Sequence, residues 1–155
     1  MWQKYKPYII SVLIALGVGA LSALFTMGNM SIYQSINTPP LSPPGWLFPV
    51  VWAILYILMG ISSAIIYEKG KGKNTESLKV YALQLVVNFF WSIIFFNLRT
   101  YLFAFIWLLI LLYLIGVMIY RFYQIDPLAA YLQIPYFLWV TFAGYLNFMI
   151  FILNM

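Results

Sequence analysis

The chain has 155 residues, of which 65% are hydrophobic and 7% charged, with a formal net charge of +5 and neither cysteine nor histidine. Soluble domains carry roughly a quarter charged residues, and a soluble fold this small could not hide so much apolar surface without aggregating. A soluble globular protein is therefore excluded, and the missing residue types exclude disulfides, thiolate metal sites, a cysteine nucleophile, the usual haem ligand and the usual general base.

The first apolar segment runs from about Tyr8 to Met27, behind Lys4 and Lys6. It is about twice the length of a signal-peptide core and no small-x-small cleavage site clearly follows, so it reads as a membrane span. Ala15, Gly19 and Ala23 recur along it at four-residue spacing. That small-residue face suits close helix approach, either within the chain or between two copies. The stretch TPPLSPPGW follows, inside a run from Pro7 to Tyr67 that carries no charge. The second span covers about Trp46 to Tyr67, and the glycine-containing basic loop EKGKGKNTESLK separates it from the third. The third runs from about Val80 to Leu98, closed by Asn97 and Arg99, and the fourth from about Tyr101 to Tyr120, closed by Arg121. Asp126-Pro127 opens the fifth as an N-cap followed by proline at the first helical position, and the span continues to about residue 153.

Five such spans predict an all-α integral membrane protein, one domain over residues 1–155, built as a bundle of five transmembrane helices. The apolar residues run continuously and do not alternate, which excludes a membrane β-barrel. Lys4, Lys6, Lys69, Lys71, Lys73, Lys79 and Arg121 fall on the N-terminal side, and Arg99 alone falls on the other. The protein is expected in the plasma membrane, where the positive-inside rule puts the N-terminus in the cytoplasm, and this topology accounts for the basic residues without a nucleic-acid partner.

Polar and aromatic residues inside the spans have helical spacing. Phe48, Trp52 and Tyr56 share one face of the second span; Gln84, Asn88 and Trp91 share one of the third; Pro135, Trp139, Ala143 and Asn147 share one of the fifth. Amides in hydrocarbon need partners, so Gln84 and Asn88 are expected to point into the bundle. Two readings stand: plain interhelical hydrogen bonding, or an aromatic-walled pocket between the helices. Trp2, Trp46 and Trp107 are expected to be interfacial anchors. Pro135 is expected to kink the fifth helix by freeing the carbonyl of Tyr131.

Three blocks carry a family resemblance: YQSINTPPLSPPGWLFPVVWAILYILMG (Tyr33 to Gly60), QLVVNFFWSIIFF (Gln84 to Phe96) and DPLAAYLQIPYFLWVTFAGYLNF (Asp126 to Phe148). On these the chain resembles the TspO/MBR family, the tryptophan-rich sensory proteins related to the mitochondrial translocator protein, also known as the peripheral benzodiazepine receptor. The resemblance implies a five-helix bundle, dimeric in many members, with a pocket opening towards the first loop. It implies binding of tetrapyrroles such as protoporphyrin IX and of benzodiazepine- or isoquinoline-type drugs, and in bacterial members porphyrin breakdown that depends on light and oxygen.

Carried over by position, the implied ligand-binding residues are Tyr33, Pro43, Pro44, Trp52, Tyr56, Asn88, Trp91, Trp139 and Ala143. Trp52 and Trp139 match the tryptophans tied to porphyrin chemistry. The proline-rich loop then reads as a stiff lid over the pocket. No metal and no further cofactor is expected, the porphyrin being ligand or substrate. Leu41 and Tyr131 depart from the family pattern, and the basic residue of the sterol motif is missing after Tyr145, which argues against cholesterol. The alternative to breakdown is a carrier or sensor that leaves its apolar ligand unchanged.

Overall fold

The computed structural model describes residues 2–26, 36, 40, 42, 44, 46–71, 73 and 75–155, and the described residues contain helices and no strand. The elements are α1 (Trp2–Thr26), α2 (Leu47–Gly70), α3 (Thr75–Ser92) continued by a π-helical turn (Ile93–Asn97), α4 (Tyr101–Ile125), α5 (Pro127–Leu132) and α6 (Ile134–Leu153). Five described helical segments are long and apolar enough to cross a membrane. The observed helices overrun the expected spans, since α1 begins before Pro7, α2 passes Glu68 and Lys69, α3 starts at Thr75 and α4 reaches Ile125. Counting apolar residues finds the part that crosses hydrocarbon, whereas a helix continues into the interface for as long as its hydrogen bonds can close.

Charged residues sit at two of these ends, and the cap at Asp126 falls where the sequence places it. Lys71, left-handed with φ 50°, terminates α2 and returns its N–H to the Glu68 carbonyl at 3.3 Å. Asp126 caps α5 by accepting from the Leu128 N–H at 2.9 Å, with Pro127 at the first helical position. Its other oxygen lies 3.7 Å from Lys69 Nζ, joining the end of α2 to the start of α5.

Around the bundle the packing order is α1, α2, α5–α6, α4, α3 and back to α1, with α1 against α2 the most extensive contact. The small face of α1 is used within the chain. Ala15 is fully buried, and Gly19 lies where an added Cβ would stand 2.5 Å from the Tyr56 ring. From the other side, a Cβ on Gly60 would stand 2.5 Å from the Val12 Cα, so backbone meets backbone here.

Two expectations are corrected. Pro135 does not kink a continuous helix: α5 ends at Leu132, and α6 starts afresh with Pro135 in its first turn. A proline N has no hydrogen to give, and the first turn is where none is required. Trp107 is no interfacial anchor, because its indole Nε1 donates to the Val87 carbonyl at 2.7 Å and pins α4 to α3. Trp46 is 68% exposed at the start of α2, as an anchor would be, and the Trp2 side chain lies outside what the structure describes.

Candidate functional site

Towards the end of the bundle where α1 finishes and α2 begins, the helices line a partly open cavity of about 300 Å³. Its walls come from α1, α2, the end of α3 with the π-helical turn, and α6. Phe48, Trp52 and Tyr56 supply the α2 wall, Trp139 and Ala143 the α6 wall, and Trp91, Phe95 and Phe96 the α3 wall. The α1 wall is made of small side chains, among them Gly19, Ala20 and Ala23, so the space is set by what α1 lacks. No described lining residue carries a charge. Among the described residues no cluster of His, Cys, Asp or Glu could hold a metal.

The aromatic rings brace one another. Trp52 packs at 5.7 Å on Tyr56 and 6.2 Å on Tyr136, Phe48 meets Trp139 at 5.8 Å, and Trp91 stacks on Phe95 at 5.3 Å. Such contacts hold large flat surfaces in fixed orientations around the void. The π-helical turn, closed by the Leu98 N–H on the Ile93 carbonyl at 3.0 Å, brings the adjacent Phe95 and Phe96 both onto the cavity. Asn97 then donates to the Phe25 carbonyl at 3.0 Å and ties this turn to α1.

Polar groups sit beneath and beside the aromatic walls in two sets. In the first, the Tyr136 hydroxyl donates to Gln84 Oε1 at 2.6 Å and accepts from Asn88 Nδ2 at 2.9 Å. The Tyr56 hydroxyl approaches Asn88 Oδ1 at 3.5 Å, and Gln84 Nε2 faces Met59 Sδ at 3.9 Å. In the second, Asn147 accepts from Trp91 Nε1 at 3.1 Å and donates to the Tyr101 carbonyl at 2.8 Å.

Of the residues singled out from the sequence, Trp52, Tyr56, Trp91, Trp139 and Ala143 all line this one cavity. Asn88 is buried below it, bonded to Tyr136 and Tyr56, and is not a wall residue. Pro44 is exposed where α2 begins, accepts the Leu47 N–H at 3.0 Å, and does not line the cavity. Tyr33 and Pro43 lie outside the described residues. Within the proline-rich stretch, the Pro40 carbonyl accepts from the Tyr145 hydroxyl at 2.9 Å, tying that residue to α6.

Several site residues are not anticipated by the sequence pattern. Tyr136, fully buried, is the hub of the polar set, and its one available signal is its place next to Pro135 and three residues before Trp139. Phe95 and Phe96 carry no usable signal, because an α-helical wheel does not anticipate a π-helical turn.

The TspO/MBR family profile matches residues 11–153. The chain is 37% identical over 144 residues to a tryptophan-rich protein TspO of Chlorobaculum tepidum, covering 91% of each chain. It is 38% identical over 140 residues to the protein CrtK of Rhodobacter capsulatus, covering 88% of this chain and 85% of that one. It is 35% identical over 134 residues to the translocator protein of Bos taurus, covering 84% of this chain and 79% of that one. With five spanning helices and matches that run nearly the whole length, the chain belongs to the TspO/MBR family of integral membrane proteins.

Proposed function

We propose that this protein is a membrane receptor for flat, apolar aromatic molecules, namely tetrapyrroles such as protoporphyrin IX and benzodiazepine- or isoquinoline-type compounds. The observation that carries this reading is that Trp52 and Trp139, on two different helices, face one uncharged cavity. Ring systems gain from offset and edge contacts with such walls, and a few fixed polar groups suffice to orient them. The volume of about 300 Å³ lies at the lower end for ligand sites. A drug-sized ring system would fit inside, and a macrocycle would bind with one edge projecting.

The lining offers no acid–base pair, so breakdown of a bound porphyrin would run through light and oxygen, with Trp52 and Trp139 as the oxidisable side chains in reach. The carrier or sensor reading keeps the same cavity and removes the chemistry. The basic end of the bundle is assigned to the cytoplasm of a plasma-membrane protein, in keeping with its lysines. A homodimer, as the resemblance implies, would have to use a face other than Ala15 and Gly19, which α2 already covers.

The test is to titrate purified protein with protoporphyrin IX, following tryptophan fluorescence and porphyrin absorbance in the dark and under light. Quenching in the dark with porphyrin loss only under light, abolished in Trp52→Phe/Trp139→Phe, supports binding with photochemical breakdown. Quenching with an unchanged porphyrin spectrum supports the carrier or sensor. No quenching in either condition rejects the cavity as a tetrapyrrole site.

A further inference from the structure

The cavity is partly open, and the exposure of its lining residues shows where. Among the described lining residues, Ala20 and Ala23 on α1 and Pro49 and Ala53 on α2 are exposed, while all the others are buried or half-buried. Each pair shares one helix face, three residues apart on α1 and four apart on α2. Helices α1 and α2 run antiparallel, with Val12 against Gly60 and, further along α1, Gly19 against Tyr56. Ala20 and Ala23 continue that progression along α1, and Ala53 and Pro49 continue it along α2. The seam is therefore shut where backbone meets backbone at Gly60. Beyond Tyr56 it gapes, because four small side chains leave it unfilled.

The other walls are tied together. Phe48 packs on Trp139 at 5.8 Å between α2 and α6, and Trp91 donates to Asn147 at 3.1 Å between α3 and α6. Asn97 holds the π-helical turn to the Phe25 carbonyl of α1 at 3.0 Å. The slot lies within the spans, since Ala23 and Pro49 are about 3–5 Å, and Ala20 and Ala53 about 9 Å, from the helix ends at Thr26 and Leu47. It occupies the half of the bundle away from the lysine-rich end. The residues beside it, Leu24 on α1 and Val50 and Ile54 on α2, are exposed and apolar.

We propose that apolar ligands enter and leave the cavity sideways from the hydrocarbon, through the slot between α1 and α2 framed by Ala20, Ala23, Pro49 and Ala53. The inference rests on the reading of the cavity as a site for flat apolar molecules. Such molecules partition into lipid, so a lateral opening meets them where they are concentrated and spares them a passage through water. Alanine and proline suit the frame, because they have no side-chain rotamers to rearrange as a ligand passes. The same gap gives the projecting edge of a macrocycle its place, between the helices and against acyl chains.

The chain has no cysteine, so Ala20→Cys/Ala53→Cys places one thiol pair across the slot. In lipid nanodiscs, the pair is bridged with a short thiol cross-linker that reductant cleaves. Bridging should slow the quenching of tryptophan by protoporphyrin IX at least about tenfold, and reductant should restore the rate. Each single-cysteine variant, treated identically, should keep the parent rate. Bridged protein, confirmed by mass, that is quenched at the unbridged rate overturns the slot as the route. Parent protein that is never quenched is a different failure, which removes the cavity reading and the route with it. A second measurement needs neither ligand nor bridge. A nitroxide on Ala53→Cys should relax with oxygen, which dissolves in hydrocarbon, and not with a water-soluble nickel chelate. Relaxation by the chelate overturns an opening to lipid.

Discussion

The hydroxyl of Tyr136 and the amide oxygen of Gln84 meet at 2.6 Å across the interior, and both partners are completely buried. Asn88 adds a second bond to the same hydroxyl at 2.9 Å, so a single phenol satisfies two amides on α3. Removing that oxygen with Tyr136→Phe leaves Gln84 Oε1 and Asn88 Nδ2 without it, at the same ring volume. The expected loss is about 1–2 kcal/mol, since interhelical bonds in membranes average below about 1 kcal/mol and two are broken here. Reversible unfolding in mixed micelles measures it, and a stability equal to the parent protein would show these two bonds to be dispensable.

Two glycines, Gly60 in the α1–α2 seam and Gly17 on the exposed side of α1, separate two outcomes. Gly60→Ala puts a methyl group 2.5 Å from the Val12 Cα, and a backbone atom cannot rotate away, so α1 must retreat. An overpacking penalty of roughly 1–3 kcal/mol is expected, read as a clear drop in apparent melting temperature. Gly17→Ala has nothing within 4 Å of the new Cβ and gains helix propensity, so it should be neutral or stabilising. Equal effects at the two positions would contradict the packing described for this seam.

Ala143 lies between Trp139 and Asn147 on the cavity side of α6 and is 7% exposed. Ala143→Leu would fill part of the cavity's volume without removing a hydrogen bond. Protoporphyrin IX affinity should then fall at least about tenfold, which corresponds to about 1.4 kcal/mol, while the melting temperature stays within a few degrees of the parent. Fluorescence titration reads the first and a thermal scan the second. Full affinity in this variant would place the ligand elsewhere.

At the basic end, Asp126 does two things: it caps α5 and faces Lys69. Asp126→Asn keeps a capping oxygen and discards the charge, whereas Asp126→Ala discards both. The cap is worth about 1 kcal/mol and the ion pair, with Lys69 60% exposed, a few tenths at most. Asparagine should therefore behave almost as the parent in unfolding assays, and alanine should not. A large loss in both variants would make the ion pair the stronger contact.

Much of this architecture is legible in the amino-acid sequence. The spans, the cap at Asp126 and the shared faces of Trp52 with Tyr56 and of Trp139 with Ala143 follow from local rules. Apolar length, turn chemistry and helical spacing act within a few residues of one another. Asn88 shows where such rules stop, because spacing puts it on the inward face and cannot say whether that face meets the cavity or another side chain. In the structure Tyr136 claims it.

By itself, then, the sequence determined that this is a five-span membrane protein with aromatic and amide faces turned inward, because lipid leaves a polar backbone and buried amides few other solutions. The tertiary structure alone decided which faces meet. It assigned the small face of α1 to α2, turned Phe95 and Phe96 inward through a π-helical turn, and interrupted the last span at Gln133. Each depends on atoms distant in sequence competing for the same space or the same hydrogen bond, and no local pattern records that competition.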